Sequence, residues 1–420
     1  MLIAIFISML PVKEAEAIVL ELSQPLDPQQ DFEIVGLEEA RGRILAEPVT
    51  SKLDFPHWDN SAMDGYGVRF ADVQNCGPEK PVSLEIVEEI PAGYQPQVQV
   101  QPGQAARIFT GAVMPEGADT VVMQENTQSE GNVVQILTPP QSGEFVRRRG
   151  DFYQAEKPLL NRGTLLNAPE IAVLAAAQCN QFKVYRRLRV AIFATGDELI
   201  SPVENLQPGQ IVDSNQYALT AFVAKNGCTP VPMGIVKDKP ELLKEAIAFA
   251  IASADVVLST GGVSVGDYDL VDQILQELGG KIHLRKVRIK PGKPLTVATF
   301  NAEKPGKSAL YFGIPGNPVS ALVSCWRFVQ PALRKMSGLK DWQPTFIKAR
   351  TQNKLRAGGQ RETYLWGTMK VVNGAWEFSL APGTHNSANL VNLAGTTALA
   401  VVPVGRKTVE VGEEVEVMLT

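Results

Sequence analysis

What this chain has little of is informative. It carries four cysteines, Cys76, Cys179, Cys228 and Cys325, far apart and without a CxxC pair. That spacing excludes a disulfide framework or a zinc-thiolate site, and the residues are expected to be buried thiols of a reducing cytosol. Histidine occurs only three times, at His57, His283 and His385. Basic charge is not in excess: 40 Lys and Arg against 45 Asp and Glu give a net −5, unlike a general nucleic-acid binder. No nucleic-acid partner is expected, and any anion must be held by a local cluster. Long apolar runs are also missing. The opening MLIAIFISMLPV is apolar, but a spanning helix needs about 20 such residues and a signal peptide needs a basic start. Lys13, Glu14 and Glu16 end the run. Residues 1–8 are expected to be an upstream-start artefact or a frayed tail ahead of Met9, and no membrane role is expected.

The length of 420 residues corresponds to about three domains. Val12, Ala15, Ile18, Val19 and Leu22 follow helical spacing between Pro11 and Leu22, and Leu37 to Ile44 reads as a second amphipathic helix. Residues 55–144 change to short apolar runs between Gly, Pro and Asn, which predicts a β insertion. A segment with Arg147, Arg148, Arg149 and a helix from Pro169 to Gln178 should return to the N-terminal helices. These parts divide as 1–54 with 145–184, and 55–144.

From 185 to 338 the pattern is regular. LRVAIFA, TPVPMGIV and DVVLS read as strands. SNQYALTAFVAKNG, PELLKEAIAFAIAS and YDLVDQILQELGG read as helices. The strands lack alternation, as strands covered on both faces do. A doubly wound, mostly parallel sheet in an α/β multidomain chain follows. Residues 339–420 turn to period two, and Asn373-Gly374 between KVV and AWEF is a type I′ hairpin signal. A barrel or sandwich ends the chain.

Ligands of open α/β sheets bind beyond the carboxyl ends of the strands. There the sequence places Glu198 in TGDEL, Asp238 after the second strand, and Asp269 in TGGVSVGDYD, which also holds Gly261, Gly262 and Ser264. Helix capping accounts for one acid per helix. Three acids beside a glycine-rich turn point instead to a cation between them, and hard oxygen donors favour Mg²⁺. In LRKVRIKPGKP, Lys286, Arg288 and Lys290 alternate onto one face, and Lys293 follows the Pro291-Gly292 turn. Lysines guarding an edge strand are common, but beside the acids they suit an anionic, metal-bridged substrate. Pro315-Gly316-Asn317-Pro318 adds a rigid turn before a helix.

Two motifs compete. Gly306-Lys307-Ser308 resembles a P-loop end, but the required Gly at 301 is Asn301. Gly262-x-Ser264-x-Gly266 matches a hydrolase elbow, for which His385 would have to serve as base, since His283 lies in a strand. His57, between Pro56 and Trp58, reads as packed. In the β insertion, tight turns alone would explain Asp64 and Thr110.

SAMDGY, TGA, TGDEL, GGVSVGDYD, KPGKP and IPGNPVSALV occur in that order, and the chain from about Met9 onward resembles the MoeA family of molybdopterin molybdenumtransferases and, likewise, the gephyrin E domain. The resemblance implies a four-part homodimeric subunit with an elongated helical linker domain and a C-terminal β-barrel. Its active cleft would lie between the β insertion of one subunit and the sheet domain of the other. It implies insertion of molybdate into adenylyl-molybdopterin with release of AMP, aided by Mg²⁺ or a similar divalent cation, in the cytoplasm, with a molybdopterin adenylyltransferase as partner. Asp64 and Thr110 would line the cleft. Glu198, Asp238 and Asp269 would be the functional acids and metal ligands. Lys286, Lys290, Pro315 and Pro318 complete the match, and Arg361, Thr384 and Ser387 match less closely. A non-catalytic, gephyrin-like scaffold is the alternative.

Overall fold

A computed structural model describes residues 9–262, 270–301 and 308–420. Residues 1–8, Ser264, Asp267, Asp269, Gly306 and Lys307 lie outside the described residues. The chain divides into two compact units: residues 1–47, 162–167 and 183–420, and residues 48–161 with 168–182.

In the first unit a six-stranded sheet runs in the order Thr229–Val236, Arg189–Thr195, Val256–Thr260, Ser308–Ile314, Pro294–Asn301, Lys281–Lys286. The first four strands are parallel, Pro294–Asn301 runs antiparallel to them, and Lys281–Lys286 runs antiparallel to Pro294–Asn301 and so along the first four. Successive residues of each central strand enter different cores. Val190, Ile192, Val256 and Leu258 meet Leu219, Phe222 and Val223 of the helix Asn215–Lys225. Ala191, Phe193 and Val257 meet Leu243, Ile247 and Ala250 of the helix Pro240–Ser253. Both faces are apolar, which is why these strands show no alternation in sequence.

The strand Pro294–Asn301 was not anticipated. Its PLTVATFN run follows the KPGKP turn so closely that the two read as one basic segment. That basic segment itself serves two sheets. Lys281–Lys286 closes the edge of the α/β sheet, Val287 bridges Leu10, and Ile289–Lys290 pairs in parallel with Glu362 and Thr363. Val287 and Ile289 are buried while Arg288 and Lys290 are exposed, so the expected alternation holds across the change of sheet.

The stretch Leu37 to Ile44 is not a helix but a series of turns after the strand Phe32–Gly36. Eight residues containing Gly42 at φ +73° cannot nucleate a stable helix. Their backbone goes instead to neighbours, Gly42 N–H to the Leu166 carbonyl at 2.9 Å and the Ile44 carbonyl accepting from Tyr185 N–H at 2.8 Å.

The C-terminal strands close a barrel. Glu362–Val372 pairs with Ala375–Leu380, which pairs with Phe346–Thr351, then Glu414–Leu419, then Ala398–Val402, which returns to Glu362–Val372. Asn373 and Gly374 have φ of +50° and +79°, the two positive values that a type I′ turn requires. Closure removes free edges, so a barrel rather than an open sandwich forms.

The second unit centres on a six-stranded sheet ordered Thr120–Met123, Gly65–Val68, Gln104–Ile108, Val82–Ile90, Val133–Ile136, Thr127–Glu130. The helix Ala168–Ala176 belongs to this unit and starts with Pro169 in its first turn, where a missing N–H costs nothing. Of the four thiols, all free, Cys76, Cys228 and Cys325 are buried as expected. Cys179 is only half-buried, its Sγ donating to the Thr50 carbonyl at 3.5 Å.

Candidate active site

From Arg189–Thr195 the chain steps to Thr229–Val236 on one side, then crosses back through the helix Pro240–Ser253 to Val256–Thr260 on the other side of Arg189–Thr195. This is a topological switch point, where doubly wound sheets bind ligands. Gly261 sits there at φ +85°, and a Cβ on it would lie 2.1 Å from the Thr195 carbonyl oxygen. Only glycine lets the two strand ends approach so closely.

The first two strand ends bring Asp197 and Asp238 together. Thr195 donates through Oγ1 to Asp238 Oδ1. Asp238 N–H reaches Asp197 Oδ1 at 3.3 Å, and Lys237 Nζ reaches the Asp197 carbonyl at 3.2 Å. The Glu198 carboxylate folds back over Gly196, 2.7 Å from where a Cβ would stand. Asp269, the third acid of the expected set, lies outside the described residues. Among the described residues no three of His, Cys, Asp or Glu gather closely enough to hold a metal ion. The donors at Asp197, Glu198 and Asp238 are nonetheless all carboxylate oxygens, the ligand type that suits Mg²⁺.

Beside this crevice lies a cavity of about 450 Å³ whose lining includes Lys290, Lys293, Asn317, Arg361, Trp366 and Ser387. Gly316 joins the two places. It lines the cavity, and a Cβ on it would be 3.5 Å from Gly261 Cα. Asn215 secures this turn by donating to the Gly316 carbonyl at 2.7 Å. Arg361 Nη1 donates to the Ile289 carbonyl at 3.2 Å, which holds the guanidinium next to Lys290. Three cations thus converge on a pocket that also contains amide and hydroxyl groups, an arrangement able to bind a multiply charged oxyanion.

Of the expected binding residues, Lys290, Lys293, Pro315, Gly316, Asn317, Arg361 and Ser387 line this cavity, whereas Lys286, Pro318 and Thr384 are not among its lining. The Thr384 carbonyl is engaged within its own loop, accepting from Asn389 Nδ2 at 2.9 Å. Ser320, Thr363, Tyr364 and Asn386 line the cavity but were missed. The period-two pattern of the strand Glu362–Val372 could have pointed to Thr363, two residues from Arg361, because alternate residues share a face.

The histidines are occupied. His385 donates from Nε2 to the Ala381 carbonyl at 2.7 Å and lies against Trp366, ring centres 4.3 Å apart. His283 Nε2 pairs with Thr299 Oγ1 at 2.8 Å. His57 packs against Phe55 and Trp58. Ser264, the proposed hydrolase nucleophile, lies outside the described residues.

A second polar constellation lies in the other unit. Thr110 donates to Asp64 Oδ1 twice, from its backbone N–H and from its hydroxyl, each at 2.7 Å. The hydroxyl bond and then the amide bond hold the exposed Asp64 carboxyl below the usual carboxylate range; burial opposes them, and the Arg107 charge adds a lesser lowering.

An α/β sheet with a switch-point crevice, an adjoining cationic pocket and a C-terminal barrel defines a class of multidomain α/β protein with a site suited to an anionic ligand. Comparison with known proteins narrows this. Three family models match in succession: MoeA N-terminal region (domain I and II) over residues 10–177, probable molybdopterin binding domain over 191–335, and MoeA C-terminal region (domain IV) over 348–420. A molybdopterin molybdenumtransferase of Nostoc sp. is 60% identical over 97% of this chain and 93% of its own. That of Haemophilus influenzae is 35% identical over 84% of each. The crystal structure of a molybdopterin biosynthesis moeA protein from Pyrococcus horikoshii OT3 superposes with a TM-score of 0.83 at 28% identity, covering 98% of this chain and 100% of that one. The chain belongs to the MoeA family of molybdopterin molybdenumtransferases.

Proposed function

We propose that this protein inserts molybdate into adenylyl-molybdopterin with release of AMP, forming molybdenum cofactor. The observation that carries this reading is the meeting of Lys290, Lys293 and Arg361 on one pocket that shares Gly316 with the switch-point crevice. A dianion such as molybdate would be gripped by the three cations, and the adenylate would occupy the crevice at the strand ends. Glu198 and Asp238, with Asp269, would hold a divalent cation, Mg²⁺ by the oxygen donor set, and bound there it would offset phosphate charge. Asp64 and Thr110 form a preorganised pair, and Asp64 remains ionised at neutral pH to orient a donor group of the substrate.

The same reading makes the protein a homodimer and takes its substrate from a molybdopterin adenylyltransferase. It also places the protein in the cytoplasm, where its free thiols stay reduced. Among the described residues no helix is long and apolar enough to cross a membrane.

The test is AMP release from adenylyl-molybdopterin by the purified protein. AMP should appear only when molybdate is present, cease after chelation of divalent ions and return with Mg²⁺. Failure to release AMP under any of these conditions would remove the transferase reading; release that ignores chelation would remove the metal alone. Light scattering of the purified protein checks the dimer.

A further inference from the structure

The strand Gln104–Ile108 sets Arg107 directly across from Tyr66 on the strand Gly65–Val68. The guanidinium lies 5.4 Å from the ring centre of Tyr66 and 5.4 Å from that of Phe109. Its Nη1 donates to the Tyr66 hydroxyl at 2.8 Å, and its Nη2 to Gln124 Oε1 at 3.3 Å. Each of these partners belongs to a segment that builds the Asp64–Thr110 pair. Tyr66 follows Asp64 by two residues, and Phe109 immediately precedes Thr110. Gln124 donates its backbone N–H to the Asp64 carbonyl at 3.1 Å.

We propose that Arg107 is a positioning residue for the transfer reaction, fixing the acid and the hydroxyl of the Asp64–Thr110 pair relative to each other. This rests on the reading above that Asp64 and Thr110 act in that reaction. A planar guanidinium can lie against two rings and fork to two acceptors at once, whereas an ammonium group cannot. Tyr66 is 1% exposed, so its hydroxyl needs the partner that Arg107 supplies. The Arg107 charge also draws the Asp64 carboxylate toward its ionised form. A purely structural cross-strand contact would instead affect stability and leave turnover of the folded protein intact.

Arg107→Lys, Arg107→Met and Asp64→Asn separate these cases in the AMP-release assay, with KM for molybdate, kcat and thermal midpoint measured for each. Arg107→Lys should lose about tenfold in kcat and Arg107→Met up to about 10²-fold, the scale of a small misplacement of reacting groups. KM for molybdate should change by less than about twofold, because ground-state binding of the oxyanion is not what is lost. Added guanidinium chloride should restore part of the Arg107→Met activity, and sodium chloride of equal strength should not. Wild-type kcat in Arg107→Lys beside an inactive Asp64→Asn would overturn the proposal, as would a loss that follows thermal midpoint alone without guanidinium rescue. Wild-type kcat in Asp64→Asn would show that the underlying reading of the pair had failed, and this inference with it. Should Arg107→Met not fold, Arg107→Lys decides.

Discussion

Arg327 and Glu16 face each other fork to fork inside the first unit, Nη2 donating to Oε2 at 2.7 Å and Nη1 to Oε1. Arg327 Nε also donates to the Tyr364 hydroxyl at 2.9 Å, which in turn donates to Glu362 Oε1 at 2.6 Å. The helix Val12–Leu22, the π-helical turn Cys325–Val329 and the barrel strand Glu362–Val372 are therefore joined through one guanidinium that is 3% exposed. Burial opposes its charge, but Glu16 and Tyr364 outweigh that and hold it firmly protonated.

Glu16→Ala leaves this cation buried without its carboxylate, a change that typically costs about 3–5 kcal/mol. Urea unfolding should show a loss of that order, together with a lowered midpoint. A loss below about 1 kcal/mol, the range of exposed pairs, would mean that water reaches Arg327.

Thr110→Val removes the hydroxyl bond to Asp64 and keeps the amide bond. Because those bonds depress the Asp64 pKa, they stabilise the ionised form above the ordinary carboxylate range and are lost as pH falls through the lowered value. The Asp64 titration midpoint, followed by carboxyl NMR, should move upward in Thr110→Val. An unmoved midpoint would show that the hydroxyl does not point at Oδ1.

Gly261→Ala should disrupt the switch point. The added Cβ would stand 2.1 Å from the Thr195 carbonyl oxygen, and the residue would keep φ near +85°. Backbone strain alone is about 1–3 kcal/mol, and the clash adds to it. A lower thermal midpoint and lost AMP release are expected. Retention of both would mean that the two strand ends are farther apart than described.

Neutralising the pocket should weaken oxyanion binding before it slows turnover. Lys290→Gln or Arg361→Gln each removes a charge-assisted contact of about 1.5–3 kcal/mol, so KM for molybdate should rise by roughly 10- to 150-fold. Added salt should raise KM further in the wild type than in either variant. Unchanged KM in both variants would place molybdate elsewhere.

Local patterns made much of this legible in advance. Thr229–Val236 and Pro240–Ser253 were bounded to the residue, since turn residues and a proline at the helix start mark their ends. The rule for α/β sheets ties position to topology, and so the sequence places Glu198 and Asp238 after the first two strands, while Lys290 and Lys293 line one cavity. What local pattern could not supply was non-local. Thr110 and Asp64, which only the family resemblance brings in, meet from 46 positions apart, and nothing near either residue announces the other. Arg107 gave no signal because its role depends on a cross-strand neighbour. The false helix at Leu37 to Ile44 had the right spacing, but neighbouring chain segments compete for its backbone groups.

The segment Lys281–Lys290 has a further consequence. Its first part is stitched to the α/β sheet and its last two residues to the barrel wall, so Lys290 sits on this length of main chain and Arg361 is fastened to it through the Ile289 carbonyl. Oxyanion grip and sheet-to-barrel alignment are consequently a single mechanical property: a substitution that slid the barrel strand by one register would part Arg361 from Lys290, and no side-chain rotation could bring them back.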